Sequence, residues 1–203
     1  MESRYPVLLF DRYFPEMRVN YVIINNEESS YKLVRHLIDK GFRKIAIITT
    51  NPHLLTMDMR REGYANALSD AHIRINPDLY GEVTYVNYQE NIYSTMDRIF
   101  SAVPDVDAFF FTTHILAIEA LRYFYDRGID INDGNWGLAC MHEDSLFRVL
   151  APKMNIAHFP IEEIGSNAVR ILLNQIRQSN DPEAGEYVPE SKVLPCRMEF
   201  RDQ

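Results

Sequence analysis

Residues 33–49, LVRHLIDKGFRKIAIIT, contain a helix pattern, a stop signal and a strand pattern in direct succession. The first half has apolar residues at helical spacing, namely Leu33, Val34, Leu37 and Ile38. Gly41 follows, and glycine is the residue that most often ends a helix. The apolar run 45–49 is typical of a strand covered on both faces. The passage therefore predicts a helix that is followed directly by a strand of a parallel sheet.

The same alternation continues in both directions along the chain, with Gly128 as a second helix stop. Strands are predicted at residues 7–10, 21–24, 45–49, 83–86, 108–111 and 136–140, with a weaker one at 155–158. Helices are predicted between them and over 161–178, and residues 187–200 form an extended tail. The three phenylalanines 109–111 are predicted to be core, because a strand covered by helices on both faces is apolar throughout. The order of elements predicts an α/β fold of parallel sheets.

Composition excludes several classes of protein. The chain has 203 residues, 23.7 kDa and a formal charge of -8, which argues against direct binding of nucleic acid. Neither a membrane-spanning run nor a secretory signal is evident. Cys140 and Cys196 lack metal-site or disulfide-scaffold spacing, so we expect reduced thiols and a cytoplasmic location.

Polar residues follow the predicted strands, at the edge of a parallel sheet where ligands usually bind. They are Asp11 and Arg12, residues 25–28, Thr50 and Asn51, Asn87 and Tyr88 with nearby Tyr85, residues 112–114, and residues 141–144. This set suits a small polar molecule with one stackable face.

No motif typical of catalysis or of cofactor binding is present, so the chain is not expected to be an enzyme and no cofactor is predicted. His114, His142 and Glu143 could in principle hold a divalent metal, but pocket-wall histidines are the favoured interpretation. Asp11 and Arg12 are interpreted as a structural ion pair. Spacing alone leaves Arg60 and Arg61 open between a surface pair and a ligand clamp.

Several strings together resemble the effector-binding domain of lactose-repressor (LacI) family transcriptional regulators, which is itself similar to periplasmic sugar-binding proteins. The strings are PVLLFDR (6–12), LIDKGFRKIA (37–46), RREGY (60–64) with Ala67 and Leu68, DAFF (107–110) leading to Ala117, RGI (127–129), and PIEEIG (160–165) with Ala168 and Leu172. Their order and spacing carry the resemblance, which covers nearly the whole chain.

The resemblance implies the periplasmic-binding-protein-like type I fold, with two Rossmann-like parallel-sheet subdomains, three crossovers and a ligand in the cleft between them. Residues 1–41 and 160–179 would form part of the N-terminal subdomain, and 42–159 and 180–203 the C-terminal one. The first subdomain would be incomplete, and the chain looks truncated at its N-terminus, lacking the helix-turn-helix of family members.

The resemblance also implies ligand-binding residues. Arg60 falls where the family has an effector-binding arginine, Tyr88 where it has a stacking aromatic, and Glu28 where some members have a cleft acid. The chain departs from the family at the common Asn-Asp, here Thr113-His114, with Glu119 in place of a glycine. A second departure is at the common Gly-Tyr/Phe-Asp-Asp, here residues 140–143, where His142 replaces an aspartate.

The predicted function is effector sensing for a bacterial transcriptional regulator, with a sugar or sugar derivative as effector and a homodimer as the assembly. DNA would be bound only through the absent headpiece. The effector is expected to bridge Arg60, Tyr88, Thr113 and His142 on one subdomain to Asp11, Asn26 and Glu28 on the other. His114 and Glu143 are further predicted ligand-binding residues. The alternatives are a sugar-binding protein for import, a small metal-dependent enzyme, and a dimerisation fragment that binds no ligand.

Overall fold

A computed structural model describes residues 5–50, 54–84, 86–180, 183, 185 and 187–201. In chain order the elements are β1 (Leu8–Phe10), β2 (Asn20–Ile24), α1 (Asn26–Asp39), β3 (Ile45–Thr50), α2 (Leu55–Asp70), β4 (Tyr80–Val83), α3 (Tyr88–Ala102), β5 (Ala108–Phe111), α4 (His114–Asp126), β6 (Gly137–Met141), α5 (Phe147–Leu150), β7 (Asn155–His158), α6 (Ile161–Ser179), β8 (Ser191–Leu194) and β9 (Arg197–Glu199). The predicted α/β fold class is confirmed. Among the described residues, no helix has both the length and the apolarity needed to cross a membrane.

The chain divides into two units, and it passes between them after Asn25, after His158 and after Cys196. The first unit contains a parallel sheet of order β1-β2-β8. Helix α6 buries Ile171 against Val22 and Leu194 to form a small core. This unit therefore joins two distant parts of the sequence in one sheet.

A buried asparagine organises the first unit. Asn20 is fully buried, and its side-chain amide donates to the Val7 carbonyl (3.0 Å) and to Gln175 Oε1 (2.7 Å). Asn20 Oδ1 accepts from the Tyr187 hydroxyl (2.5 Å) and the Glu190 amide (2.9 Å). All four hydrogen-bonding sites of this side chain are satisfied, so one residue fixes β1, α6 and the segment before β8 to β2.

The second unit contains a six-stranded sheet of order β4-β3-β5-β6-β7-β9, parallel except for the antiparallel pair β7-β9. Helices α3 and α4 cover one face, where Phe109 and Phe111 are fully buried. Phe110 points to the opposite face and stacks with Tyr64 of α2. The prediction that all three phenylalanines are core is confirmed.

Helices α1 and α2 approach each other closely at Gly63. A Cβ at this position would lie 2.2 Å from the Glu27 carbonyl oxygen and 2.8 Å from the Ser30 Cβ. Only glycine permits this contact without a shift of the backbone. The close approach places the α2 face that carries Arg60, one turn before Gly63, against the first turn of α1.

The predicted domain boundaries differ from those of the structure. Helix α1 was assigned with residues 1–41 to the N-terminal subdomain, but it packs on α2, β6 and β7 and belongs to the second unit. Residues 180–203 were assigned to the C-terminal subdomain, but β8 pairs with β2 of the first unit and only β9 joins the second. The apolar stripe of α1 was recognised correctly, but its period does not reveal which surface it packs against.

The strand predicted at 83–86 is wrong in position, since β4 ends at Val83. The strand begins directly after a 3-10 turn at Pro77–Leu79, and Gly81 allows β4 to lie close to Ile48 and Thr95. The tail predicted as extended contains β8 and β9. Predicted helix stops at Gly41 and Gly128 are confirmed, because both residues have positive φ angles.

Replacement of Gly63 by alanine is expected to lower the free energy of unfolding by about 1–3 kcal/mol, because the new methyl group overlaps backbone of α1. The matched control is Gly165→Ala in α6, where no atom of the described residues lies within 4 Å of the added Cβ. That change is expected to be neutral or to stabilise by up to about 1 kcal/mol. Urea unfolding of both variants measures the difference, and equal free energies would contradict the proposed role of Gly63.

Candidate functional site

The carboxyl ends of β3, β5 and β6 lie side by side on one edge of the second unit's sheet. Their following residues include Thr112, Thr113 and His114 after β5, and His142 and Glu143 after β6. Asn51 and Tyr85, also predicted at strand ends, lie outside the described residues. The carboxyl ends of parallel strands meet at one edge of a sheet, which we call the strand-end rule. Most of the predicted residues of this unit lie at that edge, as the rule predicts.

Arg60 is buried at this edge, with 4% of its surface exposed. Its Nε donates to Asn26 Oδ1 (2.8 Å), and its Nη1 donates to the Thr112 carbonyl (2.6 Å). The guanidinium thus joins the start of α1, helix α2 and the end of β5. Arg61 is half-buried; it forms an ion pair with Asp58, and its Nη1 donates to the Thr50 carbonyl at the end of β3 (3.5 Å).

Three threonines fix the strand ends near Arg60. The Thr112 hydroxyl donates to Thr49 Oγ1 (3.1 Å), and both side chains are fully buried. Thr113 is the N-cap of α4 and accepts from the Leu116 amide (3.5 Å). The loop between β5 and α4 is therefore fixed from both ends, which gives Arg60 a rigid carbonyl partner.

The rings of His114 and His142 lie 4.9 Å apart, between centroids, at an angle of 44°. His114 begins α4, and His142 directly follows β6, where its amide donates to the Ala157 carbonyl (3.1 Å). His142 has a φ of 82°, a left-handed conformation that is uncommon outside glycine. Both side chains are half-buried. The two imidazole rings thus lie next to each other at the carboxyl edge of the sheet.

Burial and the charge of Arg60 act in opposite directions on Cys140. Burial is the dominant effect and raises the pKa of the thiol, so Cys140 is an inert core residue. The nearby Arg60 guanidinium lowers the same pKa. The Asp144 carboxylate, in the loop after β6, raises it.

Glu143 forms ion pairs with residues other than His114 and His142. It pairs with His158 Nδ1 (2.8 Å) and Arg148 (3.3 Å). The second His158 nitrogen lies 2.6 Å from Glu199 of β9. Within the described ranges, no group of three or more histidine, cysteine, aspartate or glutamate residues is placed to hold a metal ion.

The structure also places three other predicted site residues. Asp11 lies in the first unit and is exposed beside Arg12, with 3.8 Å between the charged atoms. Glu28 is exposed and pairs with Lys32 (2.5 Å). Tyr88 begins α3 and packs partly against the core of the second unit.

Asn26 was predicted on the opposite subdomain from Arg60, and that assignment is wrong because the two side chains hydrogen-bond within the second unit. Glu28, also assigned to the opposite subdomain, belongs to the second unit as well. Sequence reasoning also missed His158, although it ends β7 and the strand-end rule would have selected it. The Thr49–Thr112 pair had no sequence signal, because its members are 63 residues apart.

A family model for the periplasmic binding protein-like domain matches residues 34–201 of this chain. The chain belongs to the periplasmic binding protein-like domain family. It is 29% identical over 178 residues to the ribose operon repressor of Haemophilus influenzae, a match that covers 87% of this chain and 52% of that protein. The chain spans about half the length of the curated relatives it matches.

Two solved structures have the same fold as this periplasmic binding protein-like domain. One is a complex of the transcriptional regulator CelR with cellobiose, with a TM-score of 0.81 and 23% identity, covering 96% of this chain and 57% of the other. The second is a LacI family transcriptional regulator from Enterococcus faecium with bound ribose, with a TM-score of 0.78 and 21% identity, covering 97% and 69%. The resemblance to lactose-repressor-family regulators is confirmed.

In this periplasmic binding protein-like domain, Arg60→Ala is expected to lower the free energy of unfolding by about 2 kcal/mol or more. The change leaves Asn26 Oδ1 and the Thr112 carbonyl buried without their charged donor. The exposed Arg122 of α4 provides a matched control, and its alanine variant is expected to stay within about 0.5 kcal/mol of the parent. Denaturant titration of both variants measures the free energies of unfolding. Equal losses in the two variants would show that the hydrogen bonds of Arg60 contribute nothing to stability.

The domain is also expected to lose stability in acid through Glu199. Arg201 and, to a smaller extent, His158 lower the pKa of this carboxyl. A lowered pKa stabilises the fold above the ordinary glutamate pKa of about 4.3, and this contribution is lost as the pH falls through the folded value. Glu199→Gln should therefore lose less stability than the parent between pH 6 and pH 3 in urea unfolding. The exposed Glu62→Gln is the control, and its pH dependence should match the parent's.

Proposed function

We propose that this chain is the effector-sensing part of a bacterial transcriptional regulator and that its effector is a sugar-like small molecule. The effector contacts the carboxyl edge of the second unit, at Arg60, Tyr88, Thr113, His114 and His142. The observation that carries the proposal is Arg60, a buried cation held at the strand ends by Asn26 and Thr112. A fixed guanidinium beside half-buried polar groups is suited to hydrogen-bond a polar ligand in a defined orientation.

The relatives support the same proposal. One curated relative is a ribose operon repressor, and two of the structural neighbours have cellobiose and ribose bound. Their names concern regulation and contain no reaction, so we infer that this chain is not an enzyme. Because Glu143 is engaged by His158 and Arg148, the metal-dependent alternative has no third ligand beside His114 and His142 among the residues that the structure describes.

We keep Asp11 and Glu28 as candidate effector contacts, Asp11 on the first unit and Glu28 on the second. Both are exposed and each already has a basic neighbour, Arg12 and Lys32 respectively. Their exposed ion pairs are weak, so exchange for a ligand hydroxyl would cost little.

Regulation requires only that the effector bind one conformation of the regulator more tightly than another. The difference in binding free energy then shifts the population, and couplings of about 1–3 kcal/mol are typical. DNA would be bound by a helix-turn-helix that these residues do not include, in a cytoplasmic protein. Apolar side chains stay exposed on α5 and α6, among them Val149, Val169 and Leu173, and a homodimer would bury such surfaces.

Ligand binding is tested by thermal unfolding of the full chain with ribose, cellobiose, glucose, sugar phosphates, sugar acids and purines. A ligand at one hundred times its dissociation constant stabilises the folded state by about 2.7 kcal/mol, so at least one compound should raise the melting temperature by several degrees. The same compound should have no effect on Arg60→Ala. The sensing proposal fails if no compound changes the melting temperature of the parent chain.

A further inference from the structure

The edge of the second unit carries basic groups on adjacent strands. Arg60 Nη1 reaches the carbonyl of Thr112, two residues before His114. The charge of the same guanidinium acts on Cys140, two residues before His142. Since the two histidine rings are 4.9 Å apart, one fixed cation and two imidazoles converge on the ends of β5 and β6.

The acidic groups of this edge are turned to other partners. Glu143 is held by His158 and Arg148. The Asp144 carboxylate accepts from the Leu146 amide (2.8 Å) in the loop after β6. The Glu143 and Asp144 carboxylates therefore have partners of their own, although Asp144, like Arg60, acts electrostatically on the Cys140 thiol.

Two further features add hydrogen-bond donors at the same edge. Helix α4 has 13 residues and begins at His114, so the positive end of its dipole lies beside the histidine pair. Thr50 ends β3 and is fully buried, and its hydroxyl oxygen has no hydrogen-bond partner within the described part of the chain. Histidine and arginine nitrogens donate to an anion, and an anion in turn favours the imidazolium form of histidine.

We infer that the effector carries an anionic group, a phosphate or a carboxylate on a polyhydroxyl frame, and that this group lies against His114 and His142 above Arg60. The inference rests on the proposed function and narrows its ligand class. The fixed guanidinium offers hydrogen-bond donors only, and each imidazole can present a donor nitrogen to an anion. His142 is then the residue that determines specificity.

The test compares matched neutral and anionic probes by isothermal titration calorimetry on the full chain. The pairs are ribose with ribose 5-phosphate and glucose with gluconate, and inorganic phosphate is titrated alone. At least one anionic probe should bind ten times more tightly than its neutral counterpart. The two pairs distinguish a phosphate from a carboxylate, and phosphate alone reports whether the anion binds without the sugar frame.

His142→Asp supplies an acceptor and removes a basic group. It should therefore weaken binding of the anionic probe at least tenfold and strengthen binding of the neutral probe. The matched control is His72→Asp, because His72 is exposed, also has a positive φ (56°) and lies just beyond the end of α2. This control should bind like the parent. If His142→Asp does not fold, as judged by circular dichroism, His114→Asn replaces it and should weaken only the anionic probe.

The outcomes separate the two proposals. Neutral probes that bind as tightly as anionic ones, or more tightly, overturn the anionic class and leave effector sensing in place. Binding of no probe overturns both. An anionic preference that survives both His142→Asp and His114→Asn overturns the assignment of the histidine pair.

Discussion

The contact between α1 and α2 is the constraint on which the site depends. Gly63 has no side chain, so the α2 backbone comes within van der Waals distance of the Glu27 carbonyl and Ser30. Only at this separation does Arg60, on the same face, reach Asn26 of α1 while it also reaches the Thr112 carbonyl of β5. A buried cation is costly to desolvate, and the charge-assisted hydrogen bonds to fixed oxygens offset that cost.

The parallel sheet then determines what surrounds the arginine. Neighbouring parallel strands end at the same edge, so residues shortly after β5 and β6 come together, among them two that are 28 positions apart in the sequence. His114 and His142 are adjacent for this reason. The two imidazoles determine the local chemistry. The neighbouring Glu143 carboxylate is instead paired with His158, which is also paired with Glu199.

Much of the fold was predictable, because hydrophobic periodicity reports burial directly. The strand Ala108–Phe111 and the start of α6 at Ile161 agree with the prediction, and the strand-end rule located the histidine pair. The position of β4 was not predictable, since Val86 continues an apolar pattern but is exposed, and Gly81 instead lies against Ile48. The assignment of α1 to a unit also failed, because an amphipathic stripe does not specify its partner.

The amino-acid sequence alone determined the α/β class, the order of elements, the helix stops and the residue types at the strand ends. These are local properties, set by side-chain burial and by backbone preferences of a few neighbouring residues. The tertiary structure decided that Asn26 bonds Arg60, that Glu143 faces His158, and that β8 and β9 belong to different units. Such pairings join residues that are far apart along the chain, and only packing in three dimensions selects among the many partners that local chemistry allows.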